Sequence, residues 1–463
     1  MFIKKDINTK VFFISSFLFL FSFIINYENY PGNKIIFFFL NFSSFALFCT
    51  LIYIKLTAFE FFFYLFLLLS FWFKFSCIIF FENIKVTEGD FDVLNANFDK
   101  TSKIIIFSFL TCVFFSMVRK FLLQNTLKKK IKIRNSVEIF YRNNRLLIVF
   151  LYFVFVILIW TINYKFSIYS KGIINQNIPP IVKYFFSWSF TYGLSIITSI
   201  FIYIDFVIFK EKRIFIVGII ETLFTHLTIF SRAFLTSIIA YLRGYHYLLK
   251  FFEIKLYKKF ILKISSIIIL FSILTFFSVN ELRHQNFKNN DINNSLILKQ
   301  NFFEFIHLSV NRWVGIDALL TVSQSKNLDF NLFISSLVEK KQIRQKSFYI
   351  DNFFKSFTYG ENEKENLNIV ITPGLIPYLY YSGSIIFVCF SLIIVLFLCS
   401  TIETFFLNFS RNNIILSNLI GYALAIRFIH FGYVPYNTIN FMFSFLILLI
   451  LVYFFTRLIS SKD

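Results

Sequence analysis

Residues Ile35–Ile54 read IIFFFLNFSSFALFCTLIYI, a continuous apolar run without a charged side chain. A helix needs roughly 20 such residues to cross the hydrocarbon core of a bilayer. Lipid offers the backbone no hydrogen-bond partners, so only a helix bundle or a closed barrel can span it. Because the run is continuous rather than alternating, it predicts a transmembrane helix and argues against a barrel strand.

Twelve segments of this kind lie along the chain. They are Val11–Asn26, Ile35–Ile54, Phe59–Phe81, Ile104–Val118, Leu146–Asn163, Tyr184–Phe209, Ile214–Ile229, Ala233–Leu249, Phe260–Phe277, Leu375–Cys399, Ile414–Ile429 and Ile439–Phe455. The chain is 57% apolar with a mean hydropathy of +0.70, which argues against a water-soluble fold. We therefore predict an all-α, polytopic membrane helix bundle of about 12 transmembrane helices.

One long polar stretch, Val279–Gly374, interrupts the apolar runs. It divides the chain into three predicted parts: an N-terminal bundle of nine spans (1-278), a loop domain (279-374) and a C-terminal bundle of three spans (375-463). Within the loop, Phe302–Leu320 has helical periodicity, with apolar residues on one side and polar residues on the other. Such an amphipathic helix either lies in the membrane interface and covers a cavity between the spans, or packs on its own loop.

The distribution of basic residues predicts the orientation. Basic residues collect in short cytoplasmic loops, and nine of them lie between Arg119 and Arg145. With the N-terminus inside, the other basic loops also fall inside, which places both termini in the cytoplasm and Val279–Gly374 outside. Part of the +21 net charge accompanies a composition rich in Phe, Ile, Asn and Lys, which is typical of an A/T-rich genome, so we predict no nucleic-acid partner.

The sequence contains no phosphate-binding glycine loop, zinc spacing or nucleophile elbow. The five cysteines lie within predicted spans and indicate neither a disulfide framework nor a metal site. Basic residues on the predicted outer side are the candidate functional groups. They are Arg232, Arg283, His284, His307, Arg312, Arg427 and His430.

Arginine inside or beside a span is costly unless it faces a partner or a wet cavity. Guanidinium groups bind diphosphate through two parallel hydrogen bonds, so several of them near the outer leaflet suit a lipid-linked diphosphate. The structural alternative is a helix anchor for Arg232 and an ordinary solvated charge for Arg283 and Arg312. For His307 and His430, the alternative is a plain hydrogen-bonded histidine.

Three charged residues inside predicted spans also need an explanation. Glu221 and Asp205 either mark a proton or ion path or neutralise a nearby cation, and Glu221 with Arg232 or Arg427 is a candidate pair. Lys74 is interpreted as a snorkelling or paired residue.

Several stretches resemble the repeat-unit polysaccharide polymerases (Wzy type) that build bacterial O-antigen and capsule. These stretches are Ser231-Arg232-Ala233, Asn311-Arg312-Trp313-Val314-Gly315, Thr372-Pro373-Gly374 followed by Tyr380-Tyr381-Ser382-Gly383, and Arg427 near the end of the penultimate span. The layout, with a large external loop before the last three spans, is also similar.

The resemblance implies a metal-independent, inverting glycosyl transfer without a cofactor on the outer face of the bacterial cytoplasmic membrane. Donor and acceptor would be undecaprenyl-diphosphate-linked oligosaccharides, with membrane lipid around them and a chain-length co-polymerase as a partner. Arg232, Arg427, Arg312 and Arg283 would bind the diphosphate, where fixed cations stabilise the leaving group. His307, Glu221 or His284 would act as the catalytic base.

Two rival functions remain open at this stage. An O-antigen ligase has similar architecture and reactive groups but transfers the finished glycan to lipid A core. A lipid-linked oligosaccharide flippase or other transporter would use Asp205, Glu221 and Lys74 as coupling charges. Such transporters usually contain related halves, and no internal repeat is found in this sequence.

Overall fold

In the computed structural model, the long apolar runs form helices. The structure describes residues 2–81, 89–91, 97–122, 133–170, 178–231, 234–254, 265–275, 277–279, 310–311, 313–339, 347–354, 372–432 and 435–459. The helices are α1 (Phe2–Asn29), α2 (Lys34–Tyr53), α3 (Ala58–Phe80), α4 (Phe98–Leu122), α5 (Asn135–Phe166), α6 (Pro180–Phe209), α7 (Phe215–Thr228), α8 (Phe234–Phe251), α9 (Ser265–Val279, with residue 276 not described), α10 (Ile316–Gln324), α11 (Phe330–Leu337), α12 (Phe348–Phe353), α13 (Leu375–Leu379), α14 (Ile385–Phe409), α15 (Ile414–Ile429) and α16 (Pro435–Ile459).

Eight of the described helices are long and apolar enough to cross a membrane: Phe12–Asn29, Lys34–Tyr53, Ala58–Phe80, Phe98–Lys120, Asn135–Phe166, Pro180–Phe209, Ile385–Phe409 and Pro435–Phe454. Their outward faces carry large apolar side chains, such as Leu146 (85% exposed) and Ile386 (82% exposed). Such faces are unfavourable in water and favourable against lipid acyl chains. The chain is therefore a helical, multi-pass membrane protein.

The predicted span Leu375–Cys399 is wrong in its bounds. The chain instead forms the short helix α13, followed by a 3-10 turn over Tyr380–Ser382. Gly383, with φ of 71°, ends that turn in a left-handed conformation that favours glycine. The long helix α14 begins only at Ile385 and continues to Phe409.

The chain divides into two compact units that alternate along the sequence. The first unit contains Met1–Thr126, Glu304–Ile402 and Leu424–Leu446, and the second contains Leu127–Phe303, Glu403–Ala423 and Ile447–Asp463. The predicted division by membrane location, into an N-terminal bundle (1-278), a loop domain (279-374) and a C-terminal bundle (375-463), stays a prediction.

One end of α3 in the first unit is fixed by a capping box and a buried ion pair. The Thr57 side chain accepts a hydrogen bond from the Glu60 backbone, and the Glu60 carboxylate accepts one from the Thr57 backbone. Arg119 of α4 donates to Glu60 at 2.5 Å and to the Lys55 carbonyl at 2.8 Å. This arrangement satisfies backbone groups at the helix start and ties α3 to α4.

Asp205 in the second unit is one member of a three-residue ion cluster. Its carboxylate is fully buried and receives two hydrogen bonds from Arg145, at 2.9 and 3.0 Å, and one from the Tyr141 hydroxyl at 3.1 Å. Arg145 also donates to Glu211, whose side chain is 50% exposed. The cluster therefore has one buried and one exposed acid around a single cation.

These two acids are expected to differ in their contribution to stability. Asp205→Asn should lower the free energy of unfolding by about 1.5–3 kcal/mol, because it weakens buried hydrogen bonds to a charged group. Glu211→Gln should cost less than about 1 kcal/mol, since an exposed pair is screened by solvent. Unfolding of the purified variants in detergent checks the difference, and equal costs would contradict it.

The exposed acid also predicts a pH dependence. The hydrogen bond from Arg145 lowers the pKa of Glu211, which lies in the connection between α6 and α7. The resulting stabilisation is present above the pKa of the unfolded chain and is lost as the pH falls through the lowered pKa of the folded protein. The Glu211→Gln variant should lack this acid-dependent loss in a pH series of unfolding measurements.

Candidate functional site

Only two of the seven predicted site residues lie in the part of the chain that the structure describes. Arg427 belongs to the first unit and Glu221 to the second. The others, Arg232, Arg283, His284, His307 and Arg312, lie outside the described residues. Because the two described residues belong to different units, the site is described for each unit separately.

Arg427 lies in the last turn of α15 and is half-buried. Its Nε donates to Thr438 Oγ1 at 3.1 Å, and its guanidinium carbon lies 5.5 Å from the centre of the Phe441 ring. Both contacts are with the first turns of α16, which holds the guanidinium by a hydrogen bond and by a cation–π interaction.

The end of the Arg427 helix contacts the segment Gly374–Leu379, which precedes α14. The Gly374 N–H donates to the Phe431 carbonyl at 3.0 Å, and Tyr378 of α13 packs edge-on against the Phe431 ring at 4.9 Å. The stretches Thr372-Pro373-Gly374 and Tyr380-Tyr381-Ser382-Gly383 thus lie on either side of α13, next to the end of α15.

A buried lysine fixes the Asn311–Gly315 stretch. Lys74 lies in α3 directly after a π-helical turn over Leu69–Phe73. Its ammonium nitrogen lies 2.5 Å from Asp317 Oδ2 and 3.1 Å from each of the carbonyl oxygens of Asn311 and Trp313. Both charged side chains are fully buried. Lys74 is therefore paired, and all three of its donors have an acceptor.

Gly315 lets this stretch lie close against α3. Its φ of 137° is in the region that favours glycine, and a Cβ there would lie only 2.5 Å from the Phe71 ring. A Cβ on Gly374 would lie within 3.5 Å of Val314 and Gly315. The stretches 311–315 and 372–374 and the end of α15 are therefore in contact within the first unit.

This arrangement corrects the predicted helix Phe302–Leu320. The described part of that segment breaks at Trp313–Gly315, and α10 begins only at Ile316. From Ile316 to Ser323 every side chain is buried, the polar ones included. Since α10 packs against α4 and α13, it neither lies on the surface nor rests only on its own loop.

Glu221 in the second unit is held by hydroxyl groups. The carboxylate is almost completely buried in α7 and receives hydrogen bonds from Thr225 and Tyr241 at 3.0 Å, with Ser195 at 3.4 Å and Thr222 at 3.5 Å. Among the described residues no ion pair to Glu221 is found. Neutral donors thus satisfy the carboxylate; the predicted pairing with Arg232 or Arg427 stays a prediction.

A chain of hydroxyl groups lies one turn beyond Glu221. His226 Nε2 is 2.8 Å from Ser237 Oγ, which is 3.1 Å from the Tyr422 hydroxyl; this hydroxyl in turn donates to Thr236 at 2.7 Å. Hydrogen-bonded chains of this kind polarise one another and hold the ring of a histidine in place. Glu221 and His226 of α7 therefore lie among polar partners in the interior of the second unit.

The partner of Lys74 was not identified from the sequence, which predicted a snorkelling or paired residue at this position. A lysine in the middle of an apolar span that does not snorkel requires a buried acceptor, and acids are present in the polar stretch Val279–Gly374. Periodicity does not indicate which acid pairs with Lys74, because Asp317 is 243 positions further along the chain.

No family model, curated protein or solved structure matches this chain.

Proposed function

We propose that this protein is a polymerase that joins undecaprenyl-diphosphate-linked oligosaccharide repeat units into O-antigen or capsule on the outer face of the bacterial cytoplasmic membrane. The observation that carries the proposal is the contact among three stretches that resemble such polymerases. These stretches are far apart in sequence but adjacent within one unit; they are Asn311–Gly315, Thr372–Gly374 and the end of the Arg427 helix. A shared position of this kind is expected of residues that serve one site.

The proposal includes twelve spans with both termini in the cytoplasm. One contact in each unit agrees with this topology, because it joins segments predicted to lie on the same side. Asp90 and Thr321, both predicted outside, are joined by a hydrogen bond of 3.0 Å. Arg145 and Glu211, both predicted inside, form an ion pair at 2.8 Å.

In the proposed reaction, an acceptor sugar hydroxyl attacks the anomeric carbon of the donor glycan from the side opposite the diphosphate. The bond from that carbon to the diphosphate oxygen breaks, the configuration inverts, and the lipid diphosphate leaves. The hydroxyl proton passes to a base, for which His307, His284 and Glu221 are the candidates. Arg427, together with Arg232, Arg283 and Arg312, would stabilise the charge that develops on the leaving group.

The transporter alternative is weakened by the partners of its coupling charges. Lys74 forms a buried pair with Asp317, and Asp205 forms one with Arg145. A coupling charge must exchange its partner during transport, and separating the members of a buried ion pair leaves a buried charge uncompensated, which opposes such exchange. Glu221, held by neutral hydroxyl groups, is the remaining candidate of this class.

The ligase alternative is tested by the glycans of a strain that lacks the gene. Loss of a polymerase should leave single repeat units attached to the acceptor core, because the remaining ligase still transfers them. Loss of a ligase should leave long polymer on the lipid carrier without attachment to the core. The second result would contradict the proposed function.

A further inference from the structure

A cavity lined by both polar and aromatic side chains lies in the first unit, beside the C-terminal end of α10. Its volume is about 130 Å³, enough for on the order of ten water-sized groups. It is lined by Gln324 at the end of α10 and Ser325 just after it, by Asn352 of α12, and by Asp90. The cavity is therefore comparable in size with one hexose ring.

The cavity is held by contacts that connect it to the site described above. The Asp90 N–H donates to Thr321 Oγ1 at 3.0 Å, and that hydroxyl donates to the Asp317 carbonyl at 2.8 Å. Gly89 lies so close that a Cβ would be 2.5 Å from the same carbonyl. Lys74 binds the side chain of Asp317, so the cavity and the Asn311–Gly315 stretch are attached to opposite ends of α10.

The side chains around the cavity combine two features that a sugar requires. One carboxylate (Asp90), two carboxamides (Gln324 and Asn352) and two hydroxyl groups provide hydrogen-bond donors and acceptors. Planar or short groups of this kind match the paired hydroxyls of a pyranose ring. Phe353 and Phe354 provide an apolar wall for the C–H face of the ring. The Phe353 ring is fixed in turn by Tyr381 at 4.8 Å.

A bare cation fits these surroundings less well. Hard cations require several oxygen ligands at about 2.0–2.6 Å, and among the described residues that line the cavity Asp90 is the only acid. A cavity of this volume leaves room that one ion does not fill. The mixture of donors and acceptors, with an aromatic wall, favours a neutral polyhydroxylated ring.

We propose that this cavity binds a single sugar residue of a glycan. Since α10 is about 13 Å long at 1.5 Å per residue, the bound residue lies away from the Asn311–Gly315 end of the helix. It would therefore hold the glycan rather than react. That the glycan is lipid-linked rests on the proposed function, whereas the sugar pocket itself rests on the cavity.

The test is saturation-transfer NMR on the full-length protein in detergent. The probes are methyl glycosides of glucose, galactose, mannose, N-acetylglucosamine and N-acetylgalactosamine. We expect transfer to the ring protons of at least one probe, and binding about five-fold weaker in Asn352→Ala, the effect of one lost hydrogen bond. Asp90→Asn, which preserves the shape of the side chain, should also weaken binding.

Asn327→Ala is the matched control, because Asn327 is an exposed asparagine near the cavity that does not line it. It should leave the signal unchanged. Absence of transfer to every probe, or equal transfer in wild type, Asn352→Ala and Asp90→Asn, overturns the proposal. Calcium binding that Asp90→Asn abolishes, without any sugar signal, would assign the cavity to a cation instead. A sugar signal without chain extension would contradict the polymerase and leave the pocket intact.

Discussion

Replacing Lys74 with alanine is expected to lower the free energy of unfolding by about 3–5 kcal/mol, the cost of leaving one member of a buried ion pair without its partner. The Asp317 carboxylate would remain fully buried beside the carbonyl groups of Asn311 and Trp313. Carbonyl oxygens next to a carboxylate repel it, and water has no ready access. The loss should be visible in thermal and denaturant unfolding of the detergent-purified protein.

The double variant Lys74→Met, Asp317→Leu separates charge from packing. Removing both charges and filling their volume with apolar atoms should restore much of the lost stability. Lys100→Ala is the matched control, since Lys100 is half-buried and donates to the Ser323 carbonyl at 3.2 Å; its cost should be near 1 kcal/mol. A Lys74→Ala variant as stable as Lys100→Ala would contradict the role of the buried pair.

The Lys74–Asp317 pair should also affect activity, because Lys74 positions the Asn311–Gly315 stretch. Asn311–Gly315 is held against α3 by Lys74 and by the close approach of Gly315 to Phe71. The double variant, although restored in stability, lacks the two hydrogen bonds from the ammonium group to the backbone of this stretch. We therefore expect it to fold and to extend glycan chains more slowly than wild type.

The second large effect is expected at Arg427. Arg427→Ala should lower the rate of chain extension by about 10²–10³-fold, the loss that follows removal of one group stabilising a developing charge. Arg427→Lys should also be severely impaired, because an ammonium point charge does not reproduce the two parallel hydrogen bonds of a guanidinium group to diphosphate. Arg232→Ala and Arg232→Lys are expected to behave in the same way.

Arg457→Ala is the control for this substitution. Arg457 lies in the last turn of α16, exposed, and in a region predicted to face the cytoplasm. It should extend chains at the wild-type rate. Expression and thermal stability of all variants must be measured in parallel, and near-normal polymer from Arg427→Ala at normal expression would remove Arg427 from the proposed site.

Hydropathy was sufficient to predict the helical membrane class, because a bilayer imposes the same length and polarity on each span. It was less successful where tertiary contacts decide the backbone. Leu375–Leu379 is apolar enough to belong to a span, yet the turn at Tyr380–Ser382 and Gly383 separates it from α14. The sequence contains the residues of this turn, but it did not predict that they would end one helix and begin another.

The candidate site stays a prediction, but the buried charges near its stretches are described. A buried charge in a span needs a partner or a polar path, and pairing was one of two alternatives predicted for both Lys74 and Asp205; the structure shows both of them paired. The identity of each partner depends on contacts between distant segments, as for Lys74 with Asp317. Helical periodicity also predicted a continuous amphipathic helix over Phe302–Leu320, in the membrane interface or packed on its own loop, whereas the described part is interrupted at Trp313–Gly315 and α10 is buried. The periodicity of one segment does not predict which of its faces another segment will bury.

The most direct test is chain extension by the purified protein in detergent, with a diphosphate-linked repeat unit on its lipid carrier as the sole substrate. The proposed polymerase should convert single units into a ladder of longer glycans, without a nucleotide sugar and without a sealed membrane. Arg427→Ala should leave single units and Arg457→Ala should produce the same ladder as wild type. The proposed polymerase activity would be contradicted if folded, monodisperse wild-type protein left only single units.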